Sequence, residues 1–153
     1  MHIDNNTAAV VTGGASGLGK ASAQALAKAG VKVAIFDVNE AGGEAAAKEI
    51  GGVFCKVNIM DEASVVAAFE KARAAHGQER ITVHCAMTAR RGKTLSFDKE
   101  TRAYKRTPTE DYAFGVEGIL VASYRIASLS ALGMSTLAPL EDGERGHIVL
   151  TAS

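Results

Sequence analysis

The stretch AAVVTGGASGLGKASAQALAKAG, residues 8–30, decides how this chain is read. An apolar run, Ala8 to Val11, gives way to a turn with glycine at 13, 14, 17 and 19, and then to a segment of good helix formers. Glycine at that density costs conformational entropy, which points to something that must approach the backbone closely. Strand, glycine-rich turn and helix in that order make a phosphate site, because the first amides of a helix lack partners inside it and carry partial positive charge. In this reading Gly13 permits the tight exit from the strand, Gly17 admits a pyrophosphate with no Cβ in the way, and Gly19 lets the helix close on the sheet. A dinucleotide fits such a turn, although three glycines alone would also suit a plain loop.

A companion residue separates the two readings. Asp37 closes the next apolar run, eighteen residues past Gly19. There a carboxylate can accept both hydroxyls of an adenosine ribose, and its charge would repel a 2′-phosphate, so NAD is expected in preference to NADP. Lys20, in the first turn of the helix, sits badly beside a positive helix end unless an anion lies nearby; a solvated side chain is the alternative.

Apolar runs of strand length recur at Ala8 to Val11, Val31 to Asp37, Val53 to Ile59, Ile81 to Ala86 and His147 to Thr151, each too continuous for a sheet with one wet face. Helix-like segments separate them, the first three ending at Gly30, Gly51 and Gly77, where left-handed C-terminal residues are wanted. Such alternation predicts an α/β domain with a parallel sheet, single over 1–153. In the third helix Asp61 is the expected N-cap, and Val65, Ala68, Phe69 and Ala72 line one face. The fourth opens with Thr107, Pro108 and Glu110, read as a capping box, and is apolar nearly all round through Phe114, Ile119, Leu120, Tyr124, Ile126 and Leu132. Covering both flanks of that helix at 107–133 calls for the sheet on one side and a second copy on the other, so a homo-oligomer is expected.

Seventeen basic and seventeen acidic residues cancel, so overall charge suggests no nucleic-acid or membrane partner. Cys55 and Cys85 lie in apolar runs without metal-ligand spacing and read as reduced core residues of a cytoplasmic protein, with no metal expected. The first ten residues have neither the basic nor the apolar region of a secretory signal. Residues 118–140 are long enough to span a bilayer, but Arg125 near their centre and Pro139 favour a buried helix.

TGGASGLG, residues 12–19, has the TGxxxGxG form of the short-chain dehydrogenase/reductase family. GGEAAAK at 42–48, RGKT at 91–94 and GHIVLTAS at 146–153 resemble a branch of that family that oxidises secondary alcohols with NAD, 3-hydroxyacyl-CoA among them. The resemblance implies a Rossmann-like, doubly wound sheet, here of about five strands in the order 3-2-1-4-5 with helices on both faces, the family's later strands being absent. It also implies a Ser-Tyr-Lys centre with a helper asparagine, a tetramer built on two long helices and a small-molecule substrate. Ser153 matches the serine that hydrogen-bonds the substrate oxygen. NAD is then expected against Gly13, Ser16, Gly17, Leu18, Gly19, Asp37, Asn58, Ile59, Cys85 and Ala86. The family's tyrosine and lysine belong to a YxxxK motif, whereas Tyr104, Tyr112 and Tyr124 are followed four places on by Pro108, Val116 and Ser128. A tyrosine without that lysine keeps a pKa of about 10 and is a poor base at neutral pH, so no ordinary hydride-transfer cycle is expected from these residues alone.

Four internal positions depart from the family pattern. Asn58 stands where an aspartate usually accepts from the adenine amino group, which should weaken that contact. His84-Cys85-Ala86-Met87 replaces Asn-Cys-Ala-Gly, placing a thioether where backbone passes close to the cofactor, and Ile119 falls at the helper asparagine. His84 itself reads as a hydrogen-bonded core histidine. The segment from Met87 to Thr107 carries Arg90, Arg91, Lys93, Lys99, Arg102, Lys105 and Arg106 against Asp98 and Glu100, a net charge of +5. A solvated loop is the leading reading; the phosphates of a CoA ester come next, and nucleic acid is least favoured because only Phe97 and Tyr104 could stack. The alternative for the whole chain is a non-catalytic interaction module that keeps the fold and pairs through its fourth helix.

Overall fold

A computed structural model describes residues 1, 3–90 and 92–152. Along the chain the strands are β1 (Ala8–Thr12), β2 (Lys32–Asp37), β3 (Val53–Lys56), β4 (Ile81–His84), β5 (Leu95–Asp98), β6 (Ala103–Arg106) and β7 (His147–Leu150). Five of them form a sheet in the order β3-β2-β1-β4-β7, with every pair parallel. The fifth strand of this sheet is therefore the seventh along the chain. The helices are α1 (Gly17–Lys28), α2 (Glu40–Ile50), α3 (Glu62–His76), α4 (Thr109–Val116) and α5 (Ala122–Ser135), the last two joined by a π-helical turn at Glu117–Val121.

The continuous apolar runs are explained by cover on both faces. Ala9, Val11, Val33 and Ile35 pack with Ala23, Ala46 and Ala47 of α1 and α2. Val10, Ala34, Phe36 and Cys55 face the opposite way, against Val65, Phe69 and Ala72 of α3 and Ala122 and Ile126 of α5. Phe36 and Phe69 meet edge to face at 5.2 Å. Burial raises the Cys55 thiol above its ordinary pKa, which keeps it protonated and inert.

Local signals behave as their chemistry requires, with exceptions. The Asp61 carboxylate accepts from the amides of Ala63 and Ser64, and the face of α3 read from the sequence is the buried one. Gly51 ends α2 in the left-handed conformation, whereas Gly77 has positive φ but extended ψ and leads the chain straight out of α3. The capping box at Thr107 does not form: the helix starts at Thr109, and the Thr107 hydroxyl donates to the Lys93 carbonyl at 2.5 Å instead. The basic segment is solvated, as expected, but is not simply a loop: residues 95–106 form an exposed antiparallel hairpin in which Phe97 and Tyr104 pair at 5.3 Å and Lys105 pairs with Asp98.

The helix from Thr109 to Ser135 has the length and hydropathy of a membrane span. Here it lies on the sheet through Ala122, Ile126, Ser130 and Met134, with the Ser130 and Thr82 hydroxyls 2.6 Å apart. Tyr112, Leu120, Tyr124 and Leu132, at helical spacing, remain exposed on another side.

Candidate functional site

Because β3 is followed by β4 on the far side of β1, the chain reverses direction across the sheet between β1 and β4. Connections on either side of such a point diverge and leave a crevice at the C-terminal strand ends. A cavity of about 620 Å³ lies there. All ten residues read from the sequence as cofactor contacts line it: Gly13, Ser16, Gly17, Leu18, Gly19, Asp37, Asn58, Ile59, Cys85 and Ala86.

The turn has the geometry of an anion cradle. Gly13 and Gly17 both have φ in the left-handed region, at 68° and 53°. No atom lies within 4 Å of where a Cβ on Gly17 would sit, so this backbone is open to the cavity. Gly19 lets the first turn of α1 close on the end of β1: a methyl there would strike the Gly13 carbonyl oxygen and stand only 3.0 Å from that of Thr12. Ser16 caps α1 without a side-chain hydrogen bond, and no acidic residue occupies the first turn. No acidic residue of α1 itself stands beside its leading amides, which suits a phosphate.

Asp37 is built into the same turn. One carboxylate oxygen accepts from the Ala15 amide at 3.0 Å, the other from the Asn39 amide at 2.9 Å. Each oxygen keeps further acceptor capacity for a ligand hydroxyl. At the end of β3, Asn58 accepts from the Met60 amide at 3.1 Å through its side-chain oxygen, while its own amide donates to Ser64 Oγ at 3.0 Å. Of the two readings of Lys20, the structure supplies an anion from the protein: it pairs with Glu49 of α2 at 2.8 Å and is not part of the cavity wall.

The family model described as short chain dehydrogenase matches residues 7–153. The chain belongs to the short-chain dehydrogenase family. Among this family member's relatives, the 3-hydroxyacyl-CoA dehydrogenase type-2 of Drosophila melanogaster is 40% identical over 150 residues, covering 97% of this chain and 57% of the relative. The human protein of the same name is 35% identical over 148 residues, covering 95% of this chain and 55% of the relative. A crystal structure of 3-hydroxyacyl-CoA dehydrogenase type-2 from Mycobacterium avium superposes with a TM-score of 0.86 at 31% identity, covering all of this chain and 59% of that one. The chain thus spans a little over half the length of these relatives.

Of the positions that depart from the family pattern, His84 is a core residue. It is buried, and its Nδ1 lies 2.7 Å from Thr12 Oγ1. Met87 lines the cavity, and Ile119 sits in the π-helical turn, partly exposed. Ser153 lies outside the described residues. Two residues earlier in the chain, Thr151 donates to the His84 carbonyl through both its amide and its hydroxyl. Phe36, Val38, Val57, Met60, Thr88 and Phe114 also line the cavity and were not singled out from the sequence. The first four neighbour positions that were, at the ends of β2 and β3. Thr88 and Phe114 are brought in by packing of the helix, which no local signal reports.

Proposed function

We propose that this chain is the nucleotide-binding part of an NAD-dependent oxidoreductase that moves hydride between NAD and a secondary alcohol, with 3-hydroxyacyl-CoA thioesters as the substrate class. The substrate class rests on the names of the relatives. The nucleotide reading rests on one observation above the others, the Asp37 carboxylate bonded to an amide of the glycine turn, so that a ribose acceptor and a phosphate cradle share one cavity.

When bound, NAD supplies the hydride chemistry. This chain's residues supply position. The open amides at the start of α1 hold the diphosphate, Asp37 orients the adenosine ribose, and Asn58 and Ile59 border the adenine. Ser153 is assigned to the substrate oxygen from the family motif. No tyrosine here is followed four places later by lysine, so the proton-transfer pair is not supplied by these 153 residues, and we assign them binding without turnover. The exposed stripe on α4 and α5 supports association with a second copy.

Titrating NADH and following its fluorescence tests this reading. Saturable binding is expected. Asp37→Ala should weaken NADH by about tenfold or more, since a charge-assisted contact is lost together with a support of the turn. A flat response from folded protein, together with mixed oligomers formed with a full-length relative, would instead establish the non-catalytic interaction module.

A further inference from the structure

We infer that Met87 turns this cavity into a site for adenosine 5′-diphosphates as a class, holding ADP or ADP-ribose as tightly as NAD, because its thioether stands where the second nucleoside of a dinucleotide has to pass. The inference rests on the nucleotide reading above and refines it.

Sheet order fixes the path of a ligand along the C-terminal strand ends. With the adenosine at Asp37 and Asn58, past β2 and β3, and the diphosphate over the turn after β1, a second nucleoside must continue over β4 toward β7. Met87 follows β4 by three residues, lines the cavity and is 65% exposed. Its backbone is pinned on both sides. The amides of Cys85 and Ala86 donate to Thr12 Oγ1 at 3.2 and 3.1 Å, and the Thr88 amide donates to the Gly118 carbonyl at 3.3 Å. The backbone just before Met87 also packs closely on the turn, since a Cβ on Gly13 would stand only 3.0 Å from the Ala86 nitrogen. A ligand that crosses β4 must therefore displace the side chain, and the flexible thioether yields at an entropic cost. Past Met87 only Thr88 and Phe114 line the cavity among the described residues, and none from β7 does, so little contact on that side offsets the cost.

Calorimetric titration of the whole chain with ADP, ADP-ribose and NADH tests the inference, repeated with Met87→Gly and Met87→Ala. In the unaltered chain the three dissociation constants should agree within about threefold, and removing the thioether should tighten NADH by about tenfold while ADP changes by less than about twofold. ADP binding retained by a variant also shows that it has folded, and Met87→Ala decides if the glycine variant does not fold. The inference is overturned if NADH already binds the unaltered chain about tenfold more tightly than ADP, or if both variants leave the NADH to ADP ratio unchanged. Failure of every nucleotide to bind the unaltered chain is a different outcome: it removes the nucleotide reading itself.

Discussion

Thr12 is the residue on which the cavity wall hangs. Its hydroxyl oxygen accepts from the amides of Cys85 and Ala86, which occupies both lone pairs, so its proton must go to His84 Nδ1, 2.7 Å away. That assignment makes the imidazole neutral and places its hydrogen on Nε2, a buried atom with no hydrogen-bond partner. Burial accordingly pushes the His84 pKa below its ordinary value. The sign of the linkage follows: the unfolded ring takes up a proton near pH 6.5, before the folded one does. Stability present above about pH 6.5 should thus decline as the pH falls toward the lower folded value. Urea midpoints measured between about pH 8 and pH 5 should show the decline, and His84→Asn, which keeps an acceptor for Thr12 but does not titrate, should flatten it; an equal slope in the variant rules His84 out as its source. Thr12→Val, which leaves the Ala86 amide without its acceptor while the Cys85 amide keeps the Thr12 carbonyl at 3.2 Å, should cost about 1–2 kcal/mol in the same measurement.

At the scale of elements, α3 carries the buried ion pair of the fold. Arg73 grips Glu79 through two nitrogens at 2.9 and 2.8 Å, and Glu79 is buried. Arg73→Ala should cost about 3 kcal/mol because a buried carboxylate is left uncompensated, and Arg73→Met with Glu79→Leu should recover most of the loss by denaturant unfolding. The hairpin of β5 and β6 behaves oppositely. Its strands pack on one another and on no other element to a substantial extent. Replacing residues 95–106 with a short glycine linker should shift Tm by less than about 3 °C and leave NADH binding intact, as read by calorimetry and fluorescence.

These two elements also show where the sequence was legible. Strands covered on both faces write themselves as continuous apolar runs, so the five of the sheet could be read, as could α3, whose buried face repeats at helical spacing. The hairpin has no core face to repeat: Leu95, Phe97 and Tyr104 are exposed, and only strand register brings the last two together. The capping box does not form because the helix starts one residue later, with Pro108 at the cap position, while the Thr107 hydroxyl donates to a carbonyl fourteen residues earlier. In the site, the glycine turn and Asp37 were legible because they are local in the chain or at a fixed interval. The partner of Lys20 was not legible because Glu49 lies on another helix.

At the scale of the whole molecule, Tyr112, Leu120, Tyr124 and Leu132 form an exposed apolar stripe, the surface proposed above to meet a second copy. A stable partner would cover roughly 800 Å² of each copy, which a helix of this length and its surroundings can supply. Tyr124→Glu, placing a charge in that stripe, should shift the protein to a smaller species in gel filtration with light scattering, with its circular dichroism unchanged; an unaltered elution volume would show that this face is not what holds copies together. Arg125, the next residue, joins that helix to the site. Its guanidinium donates to the Ile59 carbonyl at 2.7 Å and to Glu117 at 3.1 Å, and Ile59 borders the cavity. Thermodynamic reciprocity then applies to whatever strain crosses that bridge: if filling the crevice eases or hinders docking on the distant helix, docking changes the crevice's grip by the same factor. Were a second copy to dock there, a nucleotide in the crevice would tune assembly, with a single guanidinium as its axle.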